Sequence, residues 1–337
     1  MNKSPYNKFI PLLFCILLIT TCFTGCLKKE NPIKYPVGTF PDTVINMADI
    51  NSQYDDYNSA LFQLTAQNLP LIFSSNRGSS GGQFDLVQAN YSFVFDQFTG
   101  SFTLSSAMTV DPFLTSLINK AITPGNDFGP YRLYSSLDGY EYLVVSSVNA
   151  DGNLDLYYLK NRPVYGTSIP AVDGPFPVKL MNTNYDDAYI SFNLALDSAY
   201  FNSNPNGDFD IFLQKRPAGK DIASWFDEDY AVPTSVDNVN SAYDDKCPFI
   251  FRSIMIFTSN RPGGFGGYDL YYSIFRNGNW SSPVNLGPRI NTSSDEYRPV
   301  IGYHPSFNNL FLIFSSNRPG GKGGFDLYIT GFSFPEL

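Results

Sequence analysis

Short unbroken apolar runs return at regular intervals along this chain, and a glycine-rich polar stretch closes nearly every one. The runs are LPLIF (69–73), EYLVV (141–145), SAYF (198–201), IMIF (254–257) and LFLIF (310–314). Runs this short, bounded by turn residues, predict strands covered on both faces rather than helices. After each turn the chain re-enters extended structure as Asp-Leu or Asp-Ile, at Asp85, Asp155, Asp210, Asp269 and Asp326, with spacings of 70, 55, 59 and 57 residues. The best copies read SNRPGGFGGYDLYY (259–272) and SNRPGGKGGFDLYI (316–329), and weaker relatives begin at Ser75, Ser146 and Asn202. A near-constant period of this size predicts a repeat architecture.

A second signature precedes each run. It reads INSQYDDY (50–57), MNTNYDDAY (181–189), VNSAYDDKCP (239–248) and INTSSDEYRP (290–299), with a degenerate copy, GNDFGPYRLY, at 125–134. Extended pieces such as FPVKL, VPTSV and SPVNL lie before several of these. One unit is therefore four antiparallel strands. Five units that bury their faces on one another predict an all-β, five-bladed β-propeller over residues 43–337. The last unit stops without a Pro-Val strand, whereas PDTVINMADINSQYDD near the start matches SSPVNLGPRINTSSDE. Residues near 43–48 are thus expected to lie beside Leu327–Thr330 and close the ring, removing two open sheet edges.

The start of the chain adds a location. Two lysines precede an apolar run from Phe9 to Phe23 that ends in FTGC, which predicts a lipoprotein signal over 1–25, lipidation of Cys26 and a linker over 26–42. Acyl chains on Cys26 would hold the protein to a membrane without a spanning helix. Cys15 and Cys22 leave with the leader, so Cys247 stands alone and is expected to be buried beside Pro248 and Phe249. From Cys26 onward 20 basic residues face 31 acidic ones, a net −11 that argues against nucleic acid as a partner.

Candidate chemistry falls in the repeats and in their deviations. Propeller topology places the acidic pairs Asp55/Asp56, Asp186/Asp187, Asp244/Asp245 and Asp295/Glu296 on one face with Arg77, Arg261 and Arg318 of the Ser-Asn-Arg triplets. Ion pairs between blades are the expected structural use of these groups. Eight acids against three arginines also leave a negative rim suited to a cation or to sugar hydroxyls. The glycine loops are read as tight turns locked by the following Asp rather than as phosphate cradles, since no helix or P-loop lysine follows. An insertion at 87–126 contains the helical stretch PFLTSLINKAI. Trp225, exposed-looking among acids in KDIASWFDEDY, is added to the candidate binding face, the alternative being that it covers the blade edge. DGNLD (151–155) alternates oxygen ligands as calcium loops do but lacks the later glutamate; calcium stays an option and no cofactor is expected. His304, the only histidine, leaves no multi-histidine metal site.

The SNRxGGxGxxDLY units resemble the WD-like propeller repeats of TolB and its relatives in Gram-negative envelopes, and many lipoproteins of the Bacteroidota look similar. The resemblance implies a propeller in the cell envelope, on an outer-membrane lipoprotein facing the periplasm or the surface. The expectation for function is a monomeric scaffold that recognises an envelope protein or a glycan through one face. The alternative is a glycoside hydrolase: five-bladed propellers host such enzymes, and the reaction needs only two carboxylates. The sequence names no acid/base pair.

Overall fold

The computed structural model describes Met1 and residues 32–61, 68–162 and 171–334. Cys26 and the leader beyond Met1 lie outside the described residues. The chain forms five antiparallel sheets, the blades of a propeller. The first strand in the chain, β1 (Ile45–Asn46), belongs to the last blade. Blade 1 holds β2 (Asp56–Leu61), β3 (Asn68–Ser75), β4 (Asp85–Phe95) and β5 (Phe102–Met108), followed by helix α1 (Pro112–Ala121). Blade 2 holds β6 (Asp127–Ser135), β7 (Tyr140–Val148), β8 (Leu154–Asn161) and β9 (Asp173–Pro177). Blade 3 holds β10 (Asp187–Phe192), β11 (Ser198–Ser203) and β12 (Asp210–Lys215), then a short helix α2 (Ile222–Phe226) and β13 (Thr234–Ser235). Blade 4 holds β14 (Asp245–Phe251), β15 (Ile254–Ser259) and β16 (Asp269–Arg276), whose outer edge pairs with both β17 (Asn279–Trp280) and β18 (Val284–Asn285). Blade 5 holds β19 (Glu296–Tyr303), β20 (Leu310–Ser316) and β21 (Asp326–Phe332).

The ring closes as the repeat phase requires. Strand β1 pairs antiparallel with β21, with Ile45 opposite Ile329 and Asn46 opposite Tyr328. The inner strands β2, β6, β10, β14 and β19 pack on one another in a circle, β19 against β2. The apolar runs form the second strand of each blade, and β15 is buried along its whole length. Residues 34–42 also pack on the ring. The Gly38 N–H donates to Ser306 O at 2.7 Å, and those of Lys34 and Tyr35 donate to Gln97 O. Phe40 is buried, stacked on Phe307 at 3.9 Å and edge-on to Phe93 at 4.8 Å.

The insertion after blade 1 is explained by coverage. Asp111 caps α1 by accepting the Phe113 and Leu114 N–H groups, and Pro112 fits the first turn, where no N–H is needed. Its apolar side, Leu114, Leu117, Ile118 and Ala121, packs with Ile72 and Leu86 of blade 1 and Leu143 and Val145 of blade 2. Helix α2 does the same for blades 2 and 3, and it corrects one expectation. Trp225 is 1% exposed, beside Phe192 and stacked on Phe226. The acids around it in sequence face solvent, but its own position is the covered face of a short helix, so it is no surface platform.

Candidate functional site

The acidic signature and the glycine turn form one joint, repeated at the seams between blades. The first acid of each pair accepts a backbone N–H from the previous blade's turn. The donors are Phe325 to Asp55 (2.8 Å), Leu154 to Asp186 (2.8 Å), Phe209 to Asp244 (2.9 Å) and Tyr268 to Asp295 (2.9 Å). In the degenerate copy Asn126 takes the same part for Phe84. The asparagine that opens the signature pins the Asp-Leu strand as well. Asn51, Asn182, Asn240 and Asn291 each accept the N–H and donate to the C=O of Leu327, Leu156, Ile211 and Leu270 respectively. Such close approach requires glycine. A Cβ on Gly266 or Gly323 would sit 1.9 Å from the Ser294 or Tyr54 carbonyl oxygen of the next blade's acidic loop.

The second acid of each pair faces inward and is wholly buried. Asp56, Asp187, Asp245 and Glu296 each accept from the backbone N–H and hydroxyl of the Ser or Thr four residues earlier. Arg77, Arg261 and Arg318 then reach Asp56 (2.5 Å), Asp245 (2.5 Å) and Glu296 (3.0 Å). These pairs join two strands of one blade, which corrects the expectation of ion pairs between blades; neutral amide and N–H contacts cross the seams instead. Blades 2 and 3 have Asn149 and Pro205 in the arginine's place. There burial raises the carboxyl of Asp127 and pushes that of Asp187 up to about 6. The acids are distributed over the seams and hydrogen-bonded at each, the first of each pair half-buried and the second wholly buried.

What surrounds the mouth of the central channel is aromatic. At one end of the inner strands Tyr57, Phe128 and Tyr297 meet Phe84, Tyr268 and Phe325, the residues just before the Asp-Leu strands. Their rings make a continuous arc. Phe84 lies 5.2 Å from Phe128, Tyr57 lies 5.1 Å from Phe84 and 5.7 Å from Phe325, and Tyr297 lies 6.4 Å from Phe325 and 5.4 Å from Tyr268. Lys246 continues the arc, its Nζ 5.2 Å over the Tyr268 ring and 4.4 Å over that of Phe209. At blade 3 the arc opens, because the same two positions hold Ala188 and Leu154. All six residues are half-buried, and burial raises the hydroxyls of Tyr57 and Tyr297. Asp244 sits among them, 2.9 Å from Lys246 Nζ and 2.5 Å from the Tyr268 hydroxyl. Burial works against its charge, but hydrogen bonds from Tyr268, the Phe209 N–H and Lys246 outweigh it and hold the carboxyl below the usual range.

Below the arc each inner strand bulges. The third residue of each, Asn58, Gly129, Tyr189, Cys247 and Arg298, has φ between 47° and 58°, and the ladder slips at that point. Asn58 Nδ2 donates to the Tyr189 hydroxyl at 3.2 Å, and Arg298 lies 5.4 Å over the Tyr189 ring. A Cβ on Gly129 would meet that ring at 2.4 Å. Cys247 is buried here, and burial pushes its thiol up to about 12, so it is a poor nucleophile. These channel residues escape sequence reading because each copy carries a different one; only their phase, two after the buried acid, marks them. The asparagines of the joint, by contrast, stand in every strong copy. His304 is buried against Phe93 and Phe307, where burial lowers its pKa. Among the described residues no three His, Cys, Asp or Glu side chains form a metal-holding group. A separate groove of about 410 Å³ lies on the rim of blade 4, lined by Tyr272, Ile274, Arg276 and Trp280.

No family model matches the chain, and no curated protein matches it. Solved structures do, and glycoside hydrolases are among them. A thermostable family-43 glycoside hydrolase superposes with TM-score 0.53 at 13% identity, over 83% of this chain and 90% of its own. A GH43_1 enzyme from Xanthomonas citri gives 0.53 at 10% identity, over 87% and 92%. The endo-arabinase from Bacteroides thetaiotaomicron VPI-5482 gives 0.51 at 12% identity, over 87% and 98%. At these identities the likeness is one of fold.

Proposed function

We propose that this chain is a glycan-directed propeller of the cell envelope, which takes a saccharide chain at the aromatic mouth of its channel. The observation that carries this reading is the arc of Tyr57, Phe84, Phe128, Tyr268, Tyr297 and Phe325. Such rings offer flat apolar surface to the C–H faces of sugars, while Lys246 and Asp244 supply a donor and an acceptor for hydroxyls. The solved relatives, glycoside hydrolases by name, support a glycan over a protein partner. The test is retention on a panel of polysaccharides in native affinity gels. Phe84→Ala and Phe325→Ala should each weaken retention about tenfold, about 1.4 kcal/mol, with folding checked by melts. No retention on any polysaccharide would refute the reading.

Hydrolysis is the second reading, and Asp187 favours it, since a carboxyl raised to about 6 suits a general acid. It is wholly buried, however, and its Oδ2 is taken up by the Thr183 N–H and hydroxyl. A reducing-end assay on the retained polysaccharides separates the two readings: release of new ends would establish turnover. The envelope location rests on the Cys26 signal, and equal palmitate-analogue label in the natural chain and in Cys26→Ala would defeat that lipid anchor.

A further inference from the structure

We infer that the central channel holds a small monovalent anion, such as chloride, against the guanidinium of Arg298, beneath the aromatic mouth. Arg298 is 1% exposed. Of its donors Nη2 reaches the Pro130 carbonyl at 3.2 Å, while Nε and Nη1 have no hydrogen-bond partner. An arginine cannot escape this by losing its proton, and a buried cation without a counter-charge is strongly disfavoured. The other arginines of the repeat illustrate the usual solution, since Arg77, Arg261 and Arg318 each hold a buried carboxylate.

Arg298 has no such partner. Glu296, two residues away, is turned to Thr292, Ser316 and Arg318. The groups acting most strongly on Arg298 are Cys247, Tyr189, Tyr131 and Tyr297. Burial raises the pKa of each, so all four are neutral at neutral pH. The Tyr189 ring offers a cation–π face at 5.4 Å, which compensates only in part. The groups around the guanidinium include the hydroxyls of Tyr131, Tyr189 and Tyr297, which can donate to an anion. The Asn58 amide keeps its bond to the Tyr189 hydroxyl in either orientation, and one orientation turns its NH₂ free as a further donor. Every inner strand bulges at this level, at Asn58, Gly129, Tyr189, Cys247 and Arg298, so Arg298 sits at the same height as the other four. The inference stands apart from the glycan reading and does not need it.

The test exploits the net charge of −9, which disfavours loose anion binding at the surface. Thermal melts of the full chain are recorded as sodium gluconate is replaced by sodium chloride or bromide at constant ionic strength. The natural chain should gain roughly 2–4 °C along a saturating curve, and Arg298→Met should show no such curve. A melting temperature indifferent to halide, or the same halide response in both proteins, would overturn the site and leave water as the occupant. If Arg298→Met does not fold, crystals of the natural chain grown in bromide decide. An anomalous peak within hydrogen-bond distance of Nε or Nη1 supports the site, and no peak there refutes it.

Discussion

Arg261 and Arg318 do the same work in adjacent blades, and Asn149 and Pro205 show what happens without it. Where the arginine is present, a buried acid has a charge partner; where it is missing, the acid keeps only hydrogen bonds, and burial raises the carboxyls of Asp127 and Asp187 as it does that of Glu296, which Arg318 offsets only in part. Arg261 is mostly covered and Asp245 wholly so, and Asp245 keeps two bonds from Ser241 after the arginine is lost. Arg261→Ala should therefore cost about 2–4 kcal/mol, between a surface pair and a fully buried one. Asp187 makes stability depend on pH. Its folded value of about 6 lies above the ordinary value near 3.9, so the folded state holds its proton more tightly. That contribution is full below about pH 4 and is lost as pH rises through about 6. Asp187→Asn should flatten this loss by on the order of 2–3 kcal/mol between pH 4 and 7. Urea unfolding of both variants across that range checks the pair; an Arg261→Ala midpoint equal to that of the natural chain would show the ion pair to be idle. The repeated acids and arginines are legible in the sequence because they recur. Which strands they join is not, since that depends on where each loop returns in space.

Phe40 illustrates the difference between an element and the repeat that predicts it. The phase of the repeat places β1 beside β21, but nothing periodic marks the segment before it, and that stretch reads as linker. The structure packs it because one aromatic ring fits among Phe93, Phe102, Phe307 and Phe311. Phe40→Ala should then destabilise by about 3–5 kcal/mol, as emptying an aromatic core site does. Val37→Ala, on a half-exposed residue of the same segment, should stay within about 0.5 kcal/mol. Equal denaturation midpoints for the two variants would mean that the segment contributes nothing to the ring. The helices divide in a similar way. The start of α1 is legible from Asp111-Pro112, whereas the burial of Trp225 is not, because a five-residue helix has too few positions to display an apolar stripe.

The ring as a whole is legible for the same reason that its function is not. Scaffold residues are copied into every blade and dominate the pattern; the residues at the mouth and in the channel vary from blade to blade, and Arg298, Cys247 and Tyr189 share nothing but phase. Chemistry in such a molecule has to be sought where the copies disagree. The packing of Phe40 has one more consequence, and it concerns direction. Its partners come from the β4–β5 and β19–β20 hairpins, which lie on the face opposite the glycine turns and the aromatic arc. The chain therefore enters the ring from that far face. A lipid on Cys26 would be joined to Lys34 by eight residues, at most about 28 Å of extended chain. So short a leash would press the far face toward the bilayer and turn the aromatic mouth outward, toward whatever polymer passes at a distance from the membrane.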